Sequence, residues 1–207
     1  MDKNANIDTI IESASKDEAN EAALLTFMAY KDFSYDMFGT DDDEKVVEYY
    51  RKLWRHEDNR FSYRYSFIAK ADSAPVGLMT CYSADLTKKL VYPTIKYLIK
   101  LCGVRFIWHI ITHIGYFYAF AKTVEACPDE FYIGTLAVLP EYRGYGIGAK
   151  LLEHMRALAG SRKLYKCALL VEASNEGGIR FYEKNGFKKM SYSEKPRAYF
   201  KMVNEFQ

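Results

Sequence analysis

Apolar positions along this chain switch between a period near two and a period near 3.6, and the switches mark its elements. Residues 7–12 form a short apolar run and predict a first strand. In residues 17–30, Ala22, Leu25, Met28 and Ala29 recur at helical spacing. Thr40-Asp41-Asp42-Asp43-Glu44 opens a second helix that runs to about Arg55, with acids at its positive end. Residues 62–71 and 76–84 are aromatic or β-branched and predict two strands, joined by a turn that holds Asp72, Ser73 and Pro75.

An unusual block follows. Residues 92–101 predict one apolar helix, Gly103 breaks it, and residues 104–122 predict a second. Pro128-Asp129 ends the block. Residues 131–138, FYIGTLAV, are an apolar strand stopped by Pro140. Residues 146–160 are helical, with Leu151, Leu152, Met155 and Leu158 as the buried stripe. Residues 165–171 predict another apolar strand, and residues 175–184 a short helix ended by Asn185-Gly186. Residues 187–193 and 197–203 predict closing antiparallel strands. Strand, glycine turn, helix, strand is the pattern of a right-handed βαβ crossover with parallel strands. Apolar runs in both of its strands fit burial on two faces.

Composition adds bounds. The 207 residues suffice for one domain, 1–207, carrying an apolar helical insertion at about 86–129. The content is globular, 49% hydrophobic and 27% charged, so bulk disorder is not expected. Net charge is +2 and the basic residues are scattered, so no nucleic-acid partner is expected. Cys81, Cys102, Cys127 and Cys167 lie far apart and form no CxxC, which reads as reduced thiols in a cytoplasmic protein. The N-terminus, MDKNANIDTIIES, lacks the basic-then-apolar order of a secretory leader. VRFIWHIITHIGYFYAFA, residues 104–121, approaches the length of a membrane span. It carries Arg105, His109, Thr112 and His113, which are costly at bilayer depth, so a buried or surface-docked helix is expected and no transmembrane span.

The candidate chemistry lies in VLPEYRGYGIGAKLLEHM, where Gly144, Gly146 and Gly148 alternate before a helix. Unpartnered N–H groups at a helix start, together with the dipole, favour phosphate. Side chains at these glycines would block close approach, and Arg143 can pair with an anion. Two phosphate-binding turns fit. Gly144-x-Gly146-x-x-Ala149 matches the dinucleotide fingerprint in its alanine variant, and Glu172 ends the next strand where a ribose-binding acid belongs. Against that reading, five residues separate the strand from the turn, and too little chain follows Glu172 to complete a doubly wound sheet.

The other reading is Arg143-x-x-Gly146-x-Gly148. It resembles the R/Q-x-x-G-x-G/A signature of the GNAT family of N-acetyltransferases. Downstream, NEGGIRFYEKNGF resembles that family's N-x-x-A-x-x-L-Y-x-x-x-G-F segment through Asn175, Phe181, Tyr182, Gly186 and Phe187, with Gly178 in place of the usual alanine. The resemblance is specific over residues 131–187 and architectural before Ala84. It implies an α/β GNAT acyl-CoA N-acyltransferase fold, with a mixed central sheet, splayed parallel strands and a helical insertion before the cofactor-binding strand. It implies acetyl-CoA as co-substrate and a small-molecule or peptide amine as acceptor, attacked directly in a ternary complex. The pantetheine arm would bond to the backbone of Leu136, Ala137 and Val138. The pyrophosphate would sit on Arg143, Gly144, Tyr145, Gly146, Ile147, Gly148 and Ala149. Asn175 would contact the arm, and Tyr182 would stand near the thioester sulfur as general acid. The N–H of Val138 is a candidate donor to the developing oxyanion. The predicted strand 131–138 holds no base; Glu172 is a candidate to relay a proton through water, or is a solvated strand end.

On the predicted helix 104–122, Arg105, His109, Thr112 and Tyr116 fall in one arc with His113 beside it. His109 and His113 lack a third ligand, so no metal is expected. The insertion reads as a lid over the acceptor pocket, whose Trp108, Tyr116 and Tyr118 would suit a bulky acceptor, or as a contact surface such as a homodimer interface. The acidic run at 41–44 attracts a cationic amine or simply caps its helix. Three alternatives stand beside the enzyme: a non-catalytic acyl-CoA sensor of the same fold, a dinucleotide-dependent oxidoreductase, and an enzyme docked on a membrane through the insertion.

Overall fold

A computed structural model describes residues 7–195 and 197–206. The reading of a missing leader rests partly on residues 1–6, which lie outside that range. Seven strands are present among the described residues: β1 (Ile10–Ser13), β2 (Ser66–Ala71), β3 (Ala74–Ser83), β4 (Glu130–Val138), β5 (Lys166–Glu172), β6 (Lys188–Ser193) and β7 (Tyr199–Glu205). They form one sheet in the order β1-β2-β3-β4-β5-β7-β6. Every neighbouring pair is antiparallel except β4 and β5. A dinucleotide fold needs a doubly wound parallel sheet, so a single parallel pair among the described residues removes that alternative.

Two long helices follow β1: α1 (Ala19–Phe38) and α2 (Asp43–Arg55). A capping box just before α1 sets the direction of entry: Ser15 accepts from Asp17 N–H, and Glu18 accepts from Ser15 N–H at 2.6 Å. Gly39 ends α1 with φ of 65°, a left-handed cap that glycine adopts without strain. Asp42 caps α2 by accepting from Lys45 N–H at 3.1 Å, and Asp43 accepts from the Tyr35 hydroxyl at 2.7 Å. Half of the acidic run is thus engaged in local structure. In α2, Val46, Tyr50, Leu53 and Trp54 are buried on one face. Burial of each such side chain contributes about 1.5–3 kcal/mol before entropy is charged.

The sheet is covered on both faces. On one, Ile147, Leu151, Leu152, Met155 and Ala159 of α7 (Ile147–Ser161) pack on Met79, Phe131, Ile133 and Leu169. On the other, Ala19, Ala22 and Leu25 of α1 and Trp54 of α2 meet Ile68, Leu78 and Ala137. Adjacent residues of one strand, Leu78 and Met79, therefore serve opposite layers, as the strand period requires.

Between β3 and β4 run four helices: α3 (Ala84–Lys89), α4 (Val91–Cys102), α5 (Val104–Thr112) and α6 (Ile114–Lys122). The predicted helix over 104–122 is two helices. His113, at φ −116° and ψ 30°, interrupts it, and its N–H still closes on the His109 carbonyl at 3.0 Å. The apolar pattern runs through the break unchanged, which is why periodicity misses it. The expected single arc is split: Arg105, His109 and Thr112 lie on α5 and Tyr116 on α6. His109 Nε2 is engaged with the Asp36 carbonyl at 2.7 Å, securing the end of α1. Among the described residues no helix is long and apolar enough to cross a membrane.

Candidate functional site

The parallel pair is short. β4 meets β5 only from Glu130↔Lys166 to Ile133↔Leu169, although β4 continues to Val138 and β5 to Glu172. Past that point β5 stays paired with β7 as far as Glu172↔Tyr199, and β4 stays paired with β3 as far as Val138↔Gly77. The two strands therefore splay. The splay starts at a bulge: Thr80 faces Thr135 and Cys81 faces Ile133, so Gly134 is the extra residue.

Ladder alternation tells which backbone groups face the gap. Leu139 N–H donates to the Val76 carbonyl at 2.9 Å. Bonded and non-bonded pairs alternate, so Leu136 and Val138 turn their N–H and C=O away from β3 and toward the gap. Two carbonyls with this orientation are already engaged. Gly134 accepts from the Tyr30 hydroxyl of α1, and Val138 accepts from Arg143 Nε at 3.0 Å.

Beyond Val138, Pro140–Tyr142 makes a short 3₁₀ turn, and the glycine turn follows. Gly144 and Gly146 have φ of 93° and 79°, so both need glycine for backbone conformation. A Cβ added at Gly146 would meet nothing within 4 Å: the space before α7 is open. Gly148 differs. A Cβ there would stand 2.9 Å from Cζ of Phe181, so this glycine admits an aromatic ring rather than only a ligand. Lys150 N–H is the first in α7 to bond back, to the Gly146 carbonyl at 3.0 Å. The N–H groups of Ile147, Gly148 and Ala149 have no backbone partner among the described residues and open on the same space. Tyr145 packs against the α7 layer.

Helix α8 (Glu176–Lys184) brings Asn175 and Tyr182. Asn175 is its N-cap, its Oδ1 accepting from Gly178 N–H at 2.8 Å. The glycine that replaces the family's alanine has a local reason: a Cβ at position 178 would stand 2.7 Å from the Asn175 amide. The Tyr182 ring packs between Phe181 and Phe187, with centroids at 5.3 and 5.5 Å. Burial pushes its phenol up to about 12, so the proton stays on at neutral pH.

At the far end of the splay stands a polar cluster that sequence reasoning missed. Arg197 donates from Nε to Asp36 of α1 at 2.8 Å and from Nη1 to Glu172 Oε1 of β5 at 3.0 Å. Glu172 Oε2 accepts no hydrogen bond among the described residues. Tyr116 reaches the cluster from α6. Its hydroxyl is buried beside Arg197 and Asp36 without a well-formed hydrogen bond, and burial first, then the Asp36 charge, pushes it up to about 12. A second polar group lies deeper: Arg60 bonds Glu125 and the Tyr82 hydroxyl, and the Tyr132 hydroxyl donates to Glu125 at 3.3 Å. Pairing of Asp36, Glu172 and Arg197 spans 161 residues, so no local motif marks it. Gly134 did carry a signal, because an isolated glycine inside an apolar strand points to a bulge. Trp108 and Tyr118, expected at an acceptor pocket, are exposed; of the three aromatic residues only Tyr116 turns inward.

A splayed parallel pair, a glycine turn between its strand and helix, and an aromatic helix beside that turn define the class. The profile described as the acetyltransferase (GNAT) family matches residues 27–187, and the chain belongs to that family. It is 36% identical to the ribosomal protein bS18-alanine N-acetyltransferase of Escherichia coli over 85 residues, 41% of this chain and 57% of that enzyme. The chain spans from about a fifth to about three fifths of the length of the curated relatives it matches. An N-acetyltransferase structure from Staphylococcus aureus superposes with TM-score 0.68 at 20% identity, over 94% of this chain and 99% of that one. The PaiA N-acetyltransferase of Thermoplasma acidophilum, crystallised with coenzyme A, superposes with TM-score 0.55 at 18% identity, over 96% and 99%. At such identities the two structures speak for the fold, which is the GNAT fold.

Proposed function

We propose that residues 1–207 form one N-acetyltransferase domain that moves acetyl from acetyl-CoA to a primary amine by direct attack in a ternary complex. The observation that carries this reading is the splay between β4 and β5, which opens at Gly134 beside the unpartnered N–H groups of α7. The pantetheine arm lies in the gap against the backbone of Leu136 and Val138; Ala137, expected to join them, turns its N–H and C=O to Leu78 of β3 and offers the arm none. The pyrophosphate takes the N–H groups from Gly144 to Ala149, and Arg143 adds charge from its terminal nitrogens. Asn175 contacts the arm through Nδ2, since its Oδ1 is held by Gly178. The relatives named as N-acetyltransferases and the coenzyme A in the Thermoplasma acidophilum structure support the donor.

In the step itself the amine nitrogen bonds to the thioester carbon, and the carbon–sulfur bond then breaks. The Val138 N–H, turned toward the gap, donates to the oxyanion. The Tyr182 phenol, protonated at neutral pH, donates to the departing sulfur. The amine's proton leaves through water toward Glu172, whose Oε2 is free to accept. The acceptor is a peptide or small-molecule amine; the E. coli relative, named for an alanine of a ribosomal protein, favours trying a peptide first. The test is thiol release from acetyl-CoA across a panel of peptide and small amines. Amine-dependent release is expected; coenzyme A binding with no release for any amine would make the protein a sensor instead.

A further inference from the structure

The helices between β3 and β4 are apolar on two sides. Inward, Leu98 of α4 and Phe106 of α5 complete the cluster that α1 and α2 build. Outward, Val104, Ile107, Trp108 and Ile111 occupy an arc of about 100° on α5, and all four are exposed. Helix α6 adds Ile114 and Tyr118, exposed as well. Trp108 is 67% exposed and Val104 81%. Apolar surface gathered this way marks a contact site.

Charge selects the occupant. Residues 84–124 hold six basic side chains against one acid, Asp85, a net of +5. The whole chain nets +2, so the remainder nets −3. The cations flank the apolar stripe: Lys100 stands in the last turn of α4, Arg105 at the start of α5, and Lys122 at the end of α6 has its ammonium 4.4 Å from the Tyr118 ring centroid. A second copy fits poorly, because in a two-fold dimer the patch meets itself and like charges face each other. Two nine-residue helices, each about 13 Å long, cannot cross a bilayer but can lie in its surface.

We propose that the outer face of α5 and α6 docks on an anionic lipid surface, with Trp108 and its apolar neighbours entering the headgroup boundary and Lys100, Arg105 and Lys122 meeting the lipid charges. Tyr116, on the inner side of α6, reaches the Arg197 cluster, so the docked face and the acceptor end of the site share one helix.

The full chain, sedimented with vesicles of phosphatidylcholine alone or mixed with phosphatidylserine, tests this. Tryptophan emission supplies a second readout, since Trp54 is 2% exposed in the core and Trp108 is the outer reporter. Sedimentation with the mixed vesicles, a blue shift of Trp108 and release by salt are expected. The double substitution Trp108→Ser and Ile111→Ser should weaken binding at least about tenfold. Lys100→Glu with Arg105→Glu should remove the preference for phosphatidylserine. An unchanged melting temperature in each variant shows the fold intact. A wild-type chain that stays in the supernatant with mixed vesicles overturns the proposal. A concentration-dependent dimer that Trp108→Ser abolishes, without vesicle binding, would assign the face to a second copy instead.

Discussion

Tyr182 illustrates how an environment fixes a side chain's protonation. Packed between two phenylalanines, its phenol holds its proton to about 12 and can donate a hydrogen bond to a thiolate throughout the neutral range. A hydrogen bond to a charged group contributes roughly 1.5–3 kcal/mol, so Tyr182→Phe should slow turnover about 10- to 100-fold while the Kd for coenzyme A stays within about threefold. Equal turnover would remove Tyr182 from the acid role. The same raised value sets a pH expectation. Stabilised as the neutral phenol, the group loses its proton only as pH approaches 12, so the rate should show no descending limb near the ordinary phenol value of about 10. A limb near 10, abolished by Tyr182→Phe, would contradict the burial argument. At Gly146 the backbone is left-handed and the Cβ direction is empty. Gly146→Val should therefore abolish coenzyme A binding in calorimetry; unchanged affinity would refute the assignment of the turn. Tyr182 and Gly146 were open to selection as candidates because they stand in short local motifs. Arg197, Asp36 and Tyr30 were not, because their roles arise from contacts between distant parts of the chain.

Among elements, the contact of α7 with α8 is the informative one. Gly148 lets the Phe181 ring approach the first turn of α7, which ties the glycine turn to the helix that carries Tyr182. Gly148→Ala should cost about 1–3 kcal/mol from overpacking and weaken coenzyme A binding. Adding Phe181→Leu should recover most of the stability, a coupling that a double-mutant cycle measures. Additive effects would show that the two helices do not meet through this pair. Strand and helix order followed from periodicity, with β1 shifted from the expected 7–12 to Ile10–Ser13. The break at His113 did not, because both halves keep the same apolar pattern. Nor did α3, whose six residues are too few to show a period. The splay is a matter of register, and register is set by pairing across the sheet rather than by any one strand's composition.

In the whole molecule, Arg197 links three separated segments: the end of α1, the end of β5 and the approach to β7. Its ion pairs are partly open to solvent, so each contributes on the order of 1 kcal/mol or less. Arg197→Ala should lower the melting temperature by a few degrees and change the KM for the amine more than the Kd for coenzyme A, because Asp36 and Glu172 border the open end of the splay. An unchanged KM would separate this cluster from the acceptor. The insertion joins the body through Leu98, Phe106 and the His109–Asp36 contact, and it brings Tyr116 to the same end. The central claim is that the splay and the glycine turn hold acetyl-CoA for transfer to an amine. Thiol release from acetyl-CoA, followed with a panel of peptide and small amines on the wild type and on Gly146→Val, tests it most directly. Release that requires an amine and vanishes in Gly146→Val is the predicted result; no release with any amine, or release undiminished by Gly146→Val, would contradict it.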